Sequence, residues 1–244
     1  MKLFVENSLE SELLGLTVYE IPSDSVLDVS IIQEDEINAT RPSYVYSKVN
    51  VKDVAKINSL EKIGYLFAES QIKSRVRILH PDLNERFENT YSYIRLTNVS
   101  DLEVIKNFSV NTLMIDRFSL DSEISHAKAE FRLRSLIDKS FFVDDEEIWI
   151  LRYLKTSEII AFRSHRRIGL NNCRLLLGSI HPDFLNLGVG KASWYFANKQ
   201  LYLDGVKFAD TAISSSNTGV FNLEIGELDF RVREVSIVMK KILH

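Results

Sequence analysis

The sequence predicts an α/β protein built on one mixed (α+β) sheet. Three observations point there. The apolar periodicity switches repeatedly between two residues and about 3.6 residues, so strands and helices interleave. Three strand-like runs follow one another between Glu146 and His181, joined only by the turns Lys155–Glu158 and Gly169–Asn172, which fits antiparallel pairing. After them come a helix, a strand, a helix-like run and a last strand, an order that a mixed sheet accommodates.

Taken in order, Leu13–Pro22 reads as a strand, and Val26–Ile32 is a second apolar stretch with alternation. Ser43–Val51 alternates as a strand does. Val54, Ile57, Leu60 and Ile63 are spaced for a helix that Gly64 stops, and a strand follows. His80–Asn89 is polar and contains Pro81, which suggests a linker. A small α/β domain over 1–88 and a larger one over 89–244 are expected. The second restarts with a strand at Tyr91. Ser100 is the expected N-cap of a helix, with Asp101 and Glu103 in its first turn. Ala127, Phe131, Leu133 and Leu136 outline an amphipathic helix. The helix after the three strands ends at Gly205. Lys207–Ser214 is a strand, Asn217–Phe230 is helix-like, and Arg233–Leu243 is the final strand. Its segment Ile237–Leu243 is read as an edge available for pairing in a homodimer.

Composition narrows the function classes. The 244 residues are 45% apolar and 26% charged, with a formal charge of -4, so general attraction to nucleic acid or anionic lipid is not expected. The single cysteine, Cys173, excludes an intramolecular disulfide and suits a reducing compartment. It lies in an apolar strand with no cue for activation. The N-terminus carries acids where a signal peptide needs an apolar core, and no apolar run reaches the ~18 residues of a membrane span, so a cytoplasmic protein is expected. The histidines are scattered without ligand spacing, and no metal is expected.

The informative stretch is Leu175–Phe196. An apolar strand ends at Pro182, and Gly188 and Gly190 precede a helix. A helix N-terminus has N–H groups without intrahelical partners and the positive end of the dipole, so it attracts anions. Glycines there let a phosphate approach the backbone, and Lys191 adds charge. The plainer reading is a glycine pair that merely starts a helix. Two familiar motifs do not fit. A dinucleotide fingerprint needs a third glycine, and a phosphate-binding Walker loop needs a glycine where Leu185 stands.

The spacing of Pro182, Gly188 and Gly190 resembles motif A of the GNAT acyltransferases, with Leu185 where the family has Gln or Arg. Asn217 stands where those proteins begin a helix beside the pantetheine arm. "DRFSLDSEI" and "INSLEKIGYLFAESQI" resemble segments of the TDP-fucosamine N-acetyltransferases within that superfamily. The resemblance implies a GNAT domain behind a small N-terminal α/β domain, acetyl-CoA as donor, and a nucleotide-linked 4-amino-4,6-dideoxyhexose as acceptor. It implies cofactor contacts from Ile180, Pro182, Leu187, Gly188, Val189, Gly190, Lys191, Ala192, Asn217 and Phe221.

Acyl transfer from a thioester to an amine requires loss of an amine proton, alignment, donors for the oxyanion and a fate for the thiolate. The backbone N–H of Ser179 or Ile180 is the expected oxyanion donor. His181 is either a proton relay or a histidine bonded at a strand end. The family's tyrosine acid falls on Glu224 here. Glu224 acts as an acid with a pKa raised by burial, or the thiolate leaves unprotonated, or catalysis is lost. A solvent-facing carboxylate is the plain alternative. Arg117 and Phe118 are expected on the substrate side, with an ion pair from Arg117 to Asp116 or Asp121 as the structural alternative. Arg163, His165 and Arg167 share one strand face and Arg166 the other; they meet phosphates or form a solvated surface. Two functions therefore stand: an N-acyltransferase, or a GNAT-fold binding protein without catalysis.

Overall fold

The computed structural model describes residues 2–244. In chain order the elements are β1 (Val5–Glu6), α1 (Ser8–Leu14), β2 (Thr17–Ile21), α2 (Val29–Asn38), β3 (Ser43–Asn50), α3 (Val54–Lys62) and β4 (Leu66–Arg77). Then come α4 (Glu85–Glu88), β5 (Tyr91–Arg95), α5 (Val99–Leu113), α6 (His126–Phe142), β6 (Glu146–Tyr153), β7 (Ile159–Arg167) and β8 (Asn172–Ile180). A single 3-10 turn over Pro182–Phe184 leads to α7 (Val189–Leu203), β9 (Phe208–Ser214), α8 (Thr218–Glu227) and β10 (Arg231–Leu243).

The ten strands form one mixed sheet in the order β1-β2-β3-β10-β4-β9-β8-β7-β6-β5. Only β2 with β3 and β8 with β9 are parallel. Helices cover both faces. Residues of α2 and α3 pack with Val45, Val49 and Met239, and α7 and α8 pack with Val76, Cys173 and Ala209 on that same face. On the other face, Phe118 and Ala129 pack against Val18, Tyr44, Tyr46 and Val238, while Leu102, Ile105, Phe108, Leu133 and Ile137 cover Ile148, Ile150 and Phe162. Such burial on both faces is the main favourable term of the fold.

Several expectations are corrected. Leu13 and Leu14 close helix α1 rather than open a strand, because Asn7 caps it and Gly15 ends it at φ 59°. Val29–Ile32 begin α2, since the Asp28 carboxylate accepts from the Ser30 and Ile31 N–H groups. Asn98, not Ser100, caps α5. On α6 the buried face is Ala129, Leu133 and Ile137, and Phe131 is exposed. The final strand is not an edge: β10 bonds to β3 over Ser43–Asn50 and to β4 over Leu66–Arg75. Its place leaves Ile237–Lys240 no free ladder for a dimer, while Lys241–Leu243 pair with β3 alone. The expected boundary at residues 88 and 89 falls just after α4, and the sheet runs continuously across it through β10.

One buried ion group ties the first helix to the fold. Arg132 on α6 donates to both carboxylate oxygens of Glu10, at 2.5 and 2.8 Å, and to Asp116 at 2.7 Å. Arg132 and Glu10 are thus held together out of water, with Asp116 partly exposed at the edge of the group.

Candidate functional site

The parallel pair β8 and β9 is joined over only three residues, Asn172–Arg174 against Phe208–Asp210. Beyond Arg174 the strands part. The cause lies on the other side of β8. Its pairing with β7 slips between Arg163 and His165, which puts one extra residue into β8 near Leu176, and the Leu177 N–H bonds to Ser164 Oγ at 3.1 Å. A bulge of this kind bends the strand away from its neighbour. Leu175 to Gly178 stay partly exposed although they lie near the middle of a ten-stranded sheet.

The ladder also separates the two N–H groups expected as oxyanion donors, those of Ser179 and Ile180. The His181 N–H bonds to the Ile160 carbonyl at 2.8 Å, and Ser179 lies opposite Phe162. Alternation in an antiparallel ladder then turns the Ser179 N–H toward β7 and the Ile180 and Gly178 N–H groups toward the gap. Between the two candidates, Ile180 has the free direction. Ser179 instead uses its hydroxyl, which bonds to the Thr112 hydroxyl on the α5 face.

At the mouth of the gap stands α7. Seven helices carry a side-chain N-cap, from Asn7, Asp28, Asp53, Asn84, Asn98, Ser125 and Asn217. The start of α7 has none. Its N-cap is Gly188, at φ 80°, a left-handed conformation that suits glycine, and a Cβ there would meet nothing within 4 Å. The first helical N–H groups are left without a side-chain acceptor. Val189 and Ala192 are buried against β7 with Ala161 and Leu151, so only their backbone is available at the helix start. Gly190 has a different reason. A Cβ on it would lie 2.8 Å from Leu223 Cδ2 and 3.5 Å from Ile180 Cδ1, so its smallness admits α8. Lys191 is paired with Glu227 of α8. Leu185 and Leu187 are exposed in the preceding loop, and Pro182 opens the 3-10 turn.

Asn217 caps α8 by accepting from the Val220 N–H at 3.2 Å, and the Phe221 N–H continues the turn to the Asn217 carbonyl. One turn on, Glu224 is buried, against the plain expectation of a solvent-facing carboxylate. Its Oε2 accepts from Ser74 Oγ at 3.2 Å. Burial pushes its carboxyl up to about 7, against the opposing effects of the Arg163 guanidinium and the Ser74 bond. Arg163 is itself held below its ordinary range by burial, with Tyr93 and Glu224 acting the other way. Its Nε donates to Ser193 Oγ on α7 at 2.9 Å.

The remaining predicted residues are tied into structure. His181 Nδ1 accepts from the Asp183 N–H at 3.3 Å, and its ring meets Phe108 and Phe184 edge-on. His165 faces Glu147 at 3.6 Å, Arg166 holds Glu146, and Arg167 donates to the Asp204 carbonyl at 2.8 Å. The cluster thus combines a buried His165 with the exposed side chains of Arg166 and Arg167, each tied to a neighbouring acid or carbonyl. Arg117 pairs with Glu69 at 3.1 Å, not with Asp116 or Asp121, which are taken by Arg132 and Lys240. Phe118 is fully buried against Tyr44, so its ring has no surface for a substrate. Sequence reasoning missed Ser74, Thr112 and Leu223. Their partners lie 150, 67 and 33 positions away or are set by strand order, and no local pattern carries that.

Among the described residues no helix is long and apolar enough to cross a membrane, and no group of three or more His, Cys, Asp or Glu side chains is placed to hold a metal.

No protein-family model matches the sequence, and no curated protein matches it. Solved structures match its fold. A GCN5-related N-acetyltransferase from Sphaerobacter thermophilus aligns at a TM-score of 0.57 and 11% identity, over 88% of this chain and 65% of the other. A tandem GNAT protein from the clavulanic acid biosynthesis pathway aligns at 0.59 and 11%, over 93% and 75%. A GCN5-related N-acetyltransferase from Kribbella flavida aligns at 0.58 and 10%, over 93% and 81%. This chain thus spans just under two-thirds of the Sphaerobacter protein. The fold is the GNAT acyltransferase fold: a mixed sheet with a parted parallel pair and a helix N-terminus at the parting.

Proposed function

We propose that the protein is an acyl-CoA-dependent N-acyltransferase that acts by direct attack of an amine, and that its acceptor is a nucleotide-linked amino sugar of the TDP-4-amino-4,6-dideoxyhexose class. The observation that carries the first part is the uncapped start of α7 beside the parted strands β8 and β9. An anion is the missing cap. The N–H groups at Val189 and Gly190, beside the open flank of Gly188, would hold the cofactor's pyrophosphate, with Asn217 and Phe221 along its arm. Acyl-CoA, when bound, supplies an activated thioester carbonyl.

The chain's own groups divide the remaining work. The Ile180 N–H, unused by the β7 ladder, donates where negative charge develops on an oxygen. Glu224 holds a proton up to about pH 7 on the α8 side of the gap. His181 Nδ1 accepts from the Asp183 N–H, so the neutral ring carries its proton on Nε2 and can take the amine proton only at Nδ1, by giving up that bond. The finer acceptor assignment rests on the resemblance of the Asp116–Ile124 and Ile57–Ile72 segments to the sugar-nucleotide acetyltransferases.

A second reading, a GNAT-fold binding protein without turnover, is favoured by α8. Leu223 crowds Gly190 and Glu227 neutralises Lys191, so the helix closes over the first turn that the pyrophosphate would use. A thermal-shift series with acetyl-CoA, CoA, ATP and TDP at one concentration tests both readings. A ligand at ~100 times its dissociation constant adds about 2.7 kcal/mol of stability. A shift with acetyl-CoA and CoA but not ATP, with thiol release on adding an amino-sugar nucleotide, is the result expected of the enzyme. A CoA shift without thiol release for any amine supports the second reading. No CoA shift overturns both as cofactor sites.

A further inference from the structure

Arg163 stands on β7 beneath α7, and register places it opposite Gly178 of β8. Side chains in register on adjacent strands share a face, so a larger residue at 178 would lie against the arginine. Glycine leaves that space to it. A Cβ there would be 3.5 Å from Arg163 Cγ and 3.8 Å from its Nη1. The arginine side chain therefore crosses β8 toward the gap between β8 and β9. Arg163 is half-buried and Gly178 is partly exposed as well, so the gap reaches the guanidinium.

The guanidinium is held in place but not neutralised. Its Nε donates to Ser193 Oγ at 2.9 Å, and its Cζ lies 5.7 Å from the centre of the Trp194 ring. Both are buried residues of α7, so one edge of the planar fork is fixed. Neither Nη makes a hydrogen bond or ion pair among the described residues. Arg117, Arg132 and Arg152 each hold a carboxylate instead. The acid that acts on Arg163 is Glu224, which bonds to Ser74 and keeps its proton up to about pH 7. Two donor nitrogens thus face a gap in the sheet with no anion of this chain bonded to them.

We propose that the Nη groups of Arg163 bind a carboxylate at the far end of the transferred acyl group, so that the preferred donor is the CoA thioester of a short dicarboxylic acid. This rests on the acyl-transfer reading above and adds the residue that selects the acyl group. Distance sets the chain length. Ile180, whose N–H faces the gap, and Gly178 are two positions apart on β8, about 6.6 Å. A charge-assisted bond takes up ~2.8 Å of that. The remaining ~4 Å is the reach of about two methylenes, as in a succinyl group. An acetyl group stops short of the guanidinium. An apolar chain of the same reach would cover a cation without pairing it, which is costly. A carboxylate matches the fork geometry of a guanidinium. In the transfer the carbon–sulfur bond breaks, a carbon–nitrogen bond forms, an amine proton ends on the thiol, and the carboxylate passes unchanged into the amide.

The test is calorimetric titration of CoA, butyryl-CoA and succinyl-CoA into the protein. The two acyl groups are close in length and differ in ending on a methyl or a carboxylate. The unaltered protein is expected to bind succinyl-CoA about tenfold or more tightly than butyryl-CoA. Arg163→Met should remove that preference by weakening succinyl-CoA, and Arg163→Lys should keep part of it. Binding of CoA, which has no acyl group, reports that a variant is folded. Equal affinity of the unaltered protein for the two thioesters overturns the assignment without any variant, and CoA binding in that case leaves the acyl-transfer reading standing. An undiminished preference in Arg163→Met overturns it as well. If the unaltered protein binds none of the three, the acyl-transfer reading and the assignment fall together.

Discussion

The Ser74 hydroxyl donates to Glu224 Oε2 at 3.2 Å, joining β4 to α8 beneath the gap between β8 and β9. The carboxyl it meets is 5% exposed, and the Arg163 guanidinium and the Ser74 bond oppose the effect of its burial. A glutamate so placed is an acid near neutrality, not an ordinary surface carboxylate.

The first prediction concerns pH. The folded pKa of Glu224, about 7, lies above its ordinary 4.5, so the folded state keeps a proton that the unfolded state gives up. The stability this represents is complete below the unfolded value and is lost as pH climbs through the folded one. Full ionisation costs about 3 kcal/mol. Glu224→Gln stays neutral and can still accept from Ser74. In urea titrations between about pH 5 and pH 9, the unaltered protein should lose stability relative to the variant as pH rises. Parallel curves would show that Glu224 does not ionise in that range. If Glu224 is also the acid for the departing thiol, the variant's turnover falls about tenfold or more.

Gly190 and Leu223 give the second prediction. A methyl at residue 190 would stand 2.8 Å from Leu223 Cδ2, the far end of a flexible side chain. Because that side chain can shift, Gly190→Ala should cost no more than about 1 kcal/mol. Adding Leu223→Ala should return part of that, because the two share one space. Strict additivity of the pair in a double-mutant cycle would contradict the contact.

The third concerns Arg132. Its removal as Arg132→Met leaves Glu10 buried without its cation and the partly exposed Asp116 without its partner. A loss of about 3–5 kcal/mol in unfolding free energy is expected. A loss within the range of surface substitutions would mean that α1 is not held through this pair.

These cases also show which parts were legible in the sequence. The three antiparallel strands were visible because their turns are short and local. So was α3, where Val54, Leu60 and Gly64 set period and stop. The glycine pair before α7 pointed to the open helix start, and Asn217 to the start of α8. Val26–Ile32 was misread as alternating, because two or three apolar residues fit either period and the deciding group was the Asp28 cap. The place of β10 between β3 and β4 was not legible, since strand order is set by contacts between the two ends of the chain. For the same reason the burial of Glu224 escaped the sequence. It depends on Ser74 and Arg163 reaching one space from β4 and β7.

The central claim is that the uncapped start of α7 binds the cofactor's pyrophosphate, and calorimetric titration of CoA into the unaltered protein and Gly188→Asp tests it most directly. An aspartate fits the left-handed conformation better than most residues and puts a carboxylate where the anion would sit. The account predicts saturable CoA binding by the unaltered protein, weakened about tenfold or more in the variant, which stays folded at the assay temperature despite the strain of a side chain at φ 80°. No binding by the unaltered protein, or equal binding by both, would contradict it.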